Sequence, residues 1–167
     1  MDKREFIHND IWVSTFYAAF QRIKIYKDSN VSDVERKAFR EGIKEYVNRL
    51  VQQYYINGTD DEQHIKNIED LCNWVSNKYG GILRNNKLTF GVAQKILNLH
   101  LKFLWCLNEI REPPHCPFNS KILGNIREPK RWCEFDIDDY KRVVLLAKQE
   151  IKTKSLAEWE LEKWCPT

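Results

Sequence analysis

Lys95 is the residue whose type and position offer the most definite chemistry in this sequence. It stands about one turn into a predicted helix over residues 90–107, whose other residues are mostly apolar. A partly desolvated lysine near the positive end of a helix dipole has a lowered pKa, and its neutral amine can act as a nucleophile. Gly91 permits a tight turn and close approach by another molecule. The N–H groups of the first helical turn suit a phosphate, so the segment predicts an amine beside an anion site.

Simpler interpretations compete at each position that we single out. Lys95 could extend its stem over the apolar helix and keep its amine in water. Asn119 is a preferred N-cap residue and could simply begin a short helix over residues 120–125. His115 beside Cys116 suggests a metal pair or a Cys–His nucleophile, but no third ligand or orienting group lies at a recognisable spacing, which favours a turn next to a core cysteine. We therefore expect no metal or other cofactor.

The run Gly91-Val92-Ala93-Gln94-Lys95 resembles the hairpin of helix-hairpin-helix DNA glycosylases, whose pattern is a G-V-G-x-K turn into a helix. In the lyase branch of that superfamily the lysine attacks the sugar C1′ atom and displaces a damaged base. A proline-hydrophobe-aspartate element follows, and its carboxylate assists the attack. Here Pro117-Phe118-Asn119 falls where that element is expected. The resemblance covers roughly residues 88–120 and implies that Lys95 and Asn119 form the catalytic pair.

Two departures from the family pattern bear on catalysis. Asn119 stands where the family has aspartate, and Ala93 replaces the second glycine of the hairpin. An amide carries no negative charge, so it can neither stabilise a developing positive centre electrostatically nor accept a proton from Lys95. Three interpretations stay open: a slowed enzyme, a relative that only binds DNA, or a substitution introduced to trap a complex.

The resemblance implies DNA as the partner and base flipping as the mode of recognition. A flipped base leaves the stack at a cost of about a few kcal/mol and enters a pocket in the protein. Trp105, His115 and Trp132 are the candidates to line that pocket. Phosphate contacts fix position without reading sequence. The candidates for DNA contacts are Gly91, Val92, Ala93 and Gln94 of the hairpin and the basic residues Arg84, Lys87, Lys121, Arg127, Lys130 and Arg131.

Composition limits how such a partner could be attracted. The chain has 167 residues, and 27 basic against 24 acidic side chains give a net charge of only +3. An overall field of that size cannot recruit a polyanion, so a local basic patch must do so. The competing class is a non-catalytic helical interaction or regulatory module with exposed aromatic residues at a protein interface. The sequence does not identify a protein partner.

Cysteine usage and hydropathy indicate the compartment. The five cysteines are odd in number, widely spaced and without a C-x-x-C pair, so neither a disulfide framework nor a structural zinc site is expected. No segment reaches the ~18 apolar residues that cross a bilayer, and the charged start lacks the apolar block of a secretory signal. We expect a cytoplasmic protein without a membrane partner, associated with the nucleoid if it binds DNA.

The elements that must position these residues are helices. Apolar residues recur at helical spacing along almost the whole chain, and Gly and Pro are few. Asp10 is predicted to cap the first helix, and capping-box patterns begin at Ser32, Thr59 and Ser155. The helix over residues 90–107 is apolar on more than one face and is therefore predicted to be central. We expect one compact all-α domain over residues 1–167, with six or seven helices and a helix-hairpin-helix-like arrangement.

Overall fold

The computed structural model describes residues 1–164 and shows an all-α bundle. Seven α-helices occur in this part of the chain, which confirms the predicted fold class, and residues 1–164 contain only one isolated β-bridge, between Tyr26 and Leu83. The helices are α1 Lys3–Phe20, α2 Asp33–Val51, α3 Asp61–Tyr79, α4 Phe90–Cys106, α5 Ser120–Asn125, α6 Ile137–Glu150 and α7 Leu156–Lys163. Short 3-10 turns lie at Gln52–Tyr54, Gly80–Ile82, Arg84–Asn86 and Trp132–Glu134.

Helix α4 is the central element, as its sequence predicts. It packs against α1, α3, α6 and the turn Trp132–Glu134. Apolar side chains cover more than one of its faces, and a helix of that kind is stable only when other elements surround it. Its buried apolar residues are Phe90, Val92, Ala93, Ile96, Leu97, Leu101 and Leu104.

Local capping explains where most helices begin. Ser32 and Ser155 form the predicted capping boxes with Glu35 and Glu158, each of which satisfies otherwise unpaired backbone donors at the helix start. The third predicted box, which the sequence placed at Thr59 to Glu62, does not form at the start of α3. The side chain of Asp60, not that of Thr59, accepts the hydrogen bond at the start of α3.

The prediction that Asp10 caps the first helix is wrong. Helix α1 begins at Lys3, and the carboxylate of Asp2 accepts the hydrogen bond from the Glu5 backbone N–H at 2.8 Å. The additional turns are held by a tertiary contact, because His8 Nε2 lies 2.9 Å from the carboxylate of Glu109. A partner about a hundred residues away leaves no local pattern in the sequence, so apolar spacing alone places the start too late.

An extended segment rich in proline connects α4 to α5. Proline restricts its own backbone and that of the preceding residue, so residues 111–118 form no helix. The backbone N–H of Arg111 donates to the carbonyl of Tyr54 at 3.0 Å, and Cys116, Pro117 and Phe118 are buried. The segment is thus a packed part of the interior.

The described cysteines, Cys72, Cys106, Cys116 and Cys133, are all free thiols. The fifth cysteine of the sequence count, Cys165, lies outside the described residues. Among residues 1–164, none of the helices has both the length and the apolar character needed to span a membrane.

Gly91 tests how tightly the start of α4 packs. A Cβ atom at this position would lie 1.8 Å from the carbonyl oxygen of Trp132, which is a backbone atom that cannot turn aside. We expect Gly91→Ala to lower the free energy of unfolding by at least the ~1–3 kcal/mol typical of an overpacked core, as measured by urea denaturation.

Gly124→Ala is the matched control for that variant. A Cβ atom there meets nothing within 4 Å, and the residue lies inside α5. Alanine is the better helix former by about 0.5–1 kcal/mol, so this variant should be slightly more stable than the natural protein. A Gly91→Ala protein as stable as the Gly124→Ala protein would contradict the close contact.

Candidate functional site

Lys95 lies inside the protein rather than at its surface. Its exposed fraction is 5%, and Nζ lies 5.7 Å from the ring centroid of Trp132. Burial lowers the pKa of the amine to about 8; the nearby charge of Glu160 acts in the opposite direction and that of Lys102 in the same one. The lowered pKa agrees with the nucleophile hypothesis. Because Lys95 is buried, a DNA substrate does not reach its amine in this arrangement of the protein.

Helix α7 closes this side of the molecule over α4. Lys102 Nζ on α4 lies 2.7 Å from the carboxylate of Glu160 on α7, and the side chain of Glu160 is only 1% exposed. Lys102 also lies 5.0 Å from the ring centroid of Trp164. Two amines and one carboxylate are thus buried together with the ring of Trp132.

The first turn of α4 is already bonded by the protein's own chain. The backbone N–H of Gly91 donates to the carbonyl of Phe135 at 3.1 Å, and the hydroxyl of Thr89 accepts from Val92 N–H at 3.2 Å. The close approach that we expected Gly91 to allow is made by residues 132–135. The predicted hairpin contacts Gly91, Val92, Ala93 and Gln94 are all buried.

Asn119 is the N-cap of α5. Its side-chain oxygen accepts a hydrogen bond from the backbone N–H of Ile122 at 3.0 Å. Next to it, the amide of Gln94 donates to the carbonyl of Phe118 at 3.1 Å, which ties this loop to α4 one residue before Lys95. The capping interpretation is therefore present in the structure. An aspartate could cap the helix equally well, so the cap does not test the catalytic assignment.

The three predicted base-pocket residues lie in different surroundings. Trp132 is buried beside Lys95, whereas Trp105 is half-buried and lines a cavity with Asp60 and Arg111. His115 is fully buried in a network of hydrogen bonds. The structure therefore brings only Trp132 to the side of Lys95.

That buried polar network is the feature that sequence reasoning missed. Asn98 Oδ1 can only accept, so His64 Nε2 donates to it at 2.7 Å, and the other His64 nitrogen accepts from the hydroxyl of Tyr54 at 2.7 Å. The Asn98 amide donates to the hydroxyl of Tyr140 at 3.0 Å. The available signal was the pair Gln94 and Asn98, four residues apart on a helix whose other residues are mostly apolar.

From Tyr140 the network continues to the surface. The phenol donates to His115 Nδ1 at 2.9 Å, and His115 Nε2 donates to the carboxylate of Asp61 at 3.2 Å. Asp61 is also paired with Lys148. Burial lowers the pKa of His64 to about 3 and also lowers that of His115, so both rings are neutral at pH 7. The hydrogen bond from His115 holds the pKa of Asp61 well below its usual value.

Several predicted DNA contacts do meet in one place, a groove beside the start of α4 that we call the α4 groove. It has a volume of about 500 Å³. Its lining includes Arg84, Lys87, Val92 and Arg131 from the predicted set. Sequence reasoning missed the two other cations there, Arg22 and Lys24, which lie about sixty residues earlier in the chain.

Backbone pairing explains why these cations converge. The N–H of Arg84 donates to the carbonyl of Ile25 at 2.9 Å, and the N–H of Lys27 donates to the carbonyl of Ile82 at 3.0 Å. This pairing places residues 22–24 next to residues 84–87. On the other side, the hydroxyl of Thr89 donates to the carbonyl of Cys133 at 2.7 Å and thereby holds the turn that follows Arg131.

The remaining predicted phosphate contacts lie away from the α4 groove. Lys130 is bound to the carboxylate of Asp139 at 2.5 Å. Arg127 is exposed and has a positive φ of 55°. Lys121 is exposed on α5. The predicted basic set is therefore divided, and only part of it shares a surface with the start of α4.

Fold and site together define an all-α protein with a basic groove and a buried lysine. No family model, curated protein or solved structure matches the chain. The helix-hairpin-helix resemblance accordingly rests on the residues quoted for it. Within residues 1–164, no three His, Cys, Asp or Glu side chains are grouped so that they could hold a metal ion.

Buried neutral histidines predict that acid destabilises the protein. Burial lowers the pKa of His64 and of His100 to about 3, and it lowers the pKa of His115 as well. In the unfolded chain these pKa values return to about 6.5. Below that pH the unfolded state takes up protons that the folded state excludes. The free energy of unfolding should therefore fall between pH 6.5 and 3, by up to ~1.4 kcal/mol per pH unit for each of His64 and His100, and His115 acts in the same direction, as measured by urea denaturation.

His100→Phe is the matched variant for this pH dependence. The imidazole stacks on Trp12 with centroids 3.9 Å apart, and its Nδ1 has no hydrogen-bond partner within residues 1–164. A phenyl ring keeps the stacking and does not titrate. The slope of stability against pH should decrease by about one proton. A slope unchanged by this variant, or a natural protein equally stable at pH 7 and pH 4, would contradict the assignment.

Proposed function

We propose that the protein binds DNA through phosphate contacts along the α4 groove. One observation carries this proposal: five exposed cations line the groove together with a single carboxylate, that of Glu134. The cations are Arg22, Lys24, Arg84, Lys87 and Arg131. Phosphate backbones are recognised by such clusters of lysine and arginine.

The cations of the groove are available to a ligand. Arg131 lies 3.2 Å from the carboxylate of Glu134, whereas the other four form no ion pair with any residue of the described chain. Their local excess of positive charge is larger than the net charge of +3 for the whole chain. A concentrated patch of this kind attracts a polyanion even though the overall field is weak.

The salt dependence of binding tests this proposal. We expect a fluorescently labelled DNA duplex to bind, with an affinity that falls as NaCl increases because counterions are released from the phosphates. The double variant Arg84→Ala/Lys87→Ala should bind more weakly. The slope of log K against log salt should become shallower by about 0.9 for each phosphate that the variant no longer neutralises. Fluorescence anisotropy measures both quantities.

Lys141→Ala is the control for the removal of charge. Lys141 is exposed on α6, away from the groove, and forms no ion pair within residues 1–164. Its removal should leave the slope unchanged. If the double variant and the control weaken binding to the same extent, or if the natural protein shows no salt-dependent binding, the groove is not a DNA site.

Cleavage of a glycosidic bond by Lys95 extends this proposal. The pKa of about 8 leaves part of the amine neutral at pH 7, and the ring of Trp132 beside it offers a surface for a flipped base. In the proposed step the amine bonds to C1′, the base leaves with the electrons of the glycosidic bond, and the proton that the amine loses passes to the departing base. Because Lys95 is only 5% exposed, the side chains around it must move before DNA can reach the amine.

Borohydride trapping tests whether Lys95 reacts. A Schiff base between Lys95 and an abasic site becomes a stable protein–DNA adduct on reduction, and denaturing electrophoresis detects it. We expect Lys95→Met to abolish the adduct while Lys141→Met, at an exposed lysine on α6 outside the groove, retains it. Asn119→Asp keeps the helix cap and restores the carboxylate, so it should raise the rate on the order of 10². An adduct that persists in Lys95→Met would show reaction at another amine and contradict this step.

A protein-interaction module remains the second candidate, and one surface favours it. Phe6, Val13 and Tyr17 lie on one face of α1 and are 57%, 66% and 68% exposed. Contiguous exposed apolar side chains are typical of binding surfaces. The DNA titration separates the two candidates, since an interaction module without a nucleic-acid partner gives no salt-dependent binding.

A further inference from the structure

A second cavity lies between the C-terminal half of α1, residues 23–29 and the first half of α2. We call it the α1–α2 pocket. Its volume of about 930 Å³ lies at the upper end of the range typical of small-molecule sites. It contains neither Lys95 nor Asn119, and it borders the α4 groove at residues 23–25.

The floor of the α1–α2 pocket is apolar and aromatic. Phe16, Phe20 and Tyr26 contribute rings, and Ile23 and Ile25 contribute aliphatic side chains. Phe20 stacks on Phe16 and on the buried Phe39, with centroids 5.6 Å and 5.9 Å apart, and Tyr26 meets the edge of Phe39. These contacts hold the rings in place, so the floor is already shaped to receive a flat ring.

The rim of the pocket is strongly basic. Arg36, Arg40 and Lys44 follow one another at one-turn spacing along α2 and all line the cavity. Like charges one turn apart destabilise a helix, and of these three side chains only Lys44 has an ion-pair partner within residues 1–164, Glu41 at 2.9 Å. Lys24, Lys27 and Lys37 add further positive charge, against the carboxylates of Asp28 and Glu41.

Arg36 lacks a hydrogen-bond acceptor at the wall of the pocket. Its Nε atom is buried and has no hydrogen-bond partner within residues 1–164, while its guanidinium carbon lies 4.9 Å above the ring of Tyr26. A buried donor without a partner is unfavourable, and it marks a place where an acceptor is missing. The planar guanidinium matches the geometry of a phosphate.

We propose that the α1–α2 pocket binds a nucleoside phosphate, with the base against Phe20 and Tyr26 and the phosphates on Arg36 and Arg40. The flat base of such a ligand fits the aromatic floor, and its negatively charged phosphates can pair with the cations of the rim. A fatty acid has one charge and no ring, so it would leave most of the rim unpaired. The ligand is either a free nucleotide or one unit of a nucleic-acid strand. The pocket shares residues 23–25 with the α4 groove, but Phe20, Tyr26, Arg36 and Arg40 do not line that groove, so this proposal does not depend on it.

Calorimetry and thermal denaturation with defined ligands test the proposal. The ligands are ATP, GTP, CTP and UTP, with tripolyphosphate, adenosine and decanoate as partial mimics and a single-stranded DNA pentamer for the strand. We expect at least one nucleotide to bind and raise the melting temperature. Adenosine and tripolyphosphate should each bind at least tenfold more weakly than that nucleotide, because each lacks one half of the recognition.

Two pocket variants and one control make the test specific. Arg40→Gln should weaken nucleotide binding at least tenfold, while the ligand-free protein melts no lower than the natural one because the repulsion along α2 is relieved. Tyr26→Leu should weaken the binding of the nucleotide and leave the binding of tripolyphosphate unchanged. Lys141→Gln, on α6, should change nothing.

Each outcome bears on the proposal. The natural ligand is a nucleic-acid strand if the pentamer binds, if Arg40→Gln loses that binding, and if free nucleotides bind much more weakly. Equal binding of nucleotide and tripolyphosphate, binding of decanoate alone, or no binding at all overturns the proposal. The Arg84→Ala/Lys87→Ala variant should retain nucleotide binding, so failure of the α4 groove is distinguishable from failure of the α1–α2 pocket.

Discussion

The buried amide of Asn98 is the interaction on which the packing of this protein depends. It accepts from His64 on α3 and donates to Tyr140 on α6 and to the carbonyl of Cys116 in the proline-rich segment, at 2.7, 3.0 and 3.0 Å. A buried polar group without a partner costs about 1–3 kcal/mol, so these four segments must meet in one arrangement. Apolar packing alone tolerates many arrangements, and the polar network selects one of them.

Two other faces of α4 carry polar groups with different consequences. Lys95 and Lys102 face α7, where Glu160 neutralises one of two buried amines. His100 faces α1 and stacks on Trp12. The central helix is thus held by a neutral network on one side and by an ion pair on another.

Positive charge is distributed unevenly over the surface. The α4 groove and the α1–α2 pocket share Lys24, and their cations come from residues 22–27, from α2 and from the turns at residues 84–87 and 131–134. The net charge of +3 conceals this face because acidic side chains elsewhere balance it. Both proposals for this protein rest on that face, one through phosphate contacts along a groove and one through a ring and phosphates in a pocket.

The helices could be predicted from the sequence because local interactions define their ends. Ser32, Asn119 and Ser155 each cap a helix by accepting a hydrogen bond from the backbone N–H three residues later. The centrality of α4 followed from its apolar faces. The surroundings of Lys95 and the convergence of Arg22 with Arg84 came only from tertiary structure. Pairing between residues 25 and 84 and contact of α7 with α4 are long-range, and no nearby residues encode them. The sequence alone thus determined which segments are helical, and the folded chain decided which charges are buried and which share a groove.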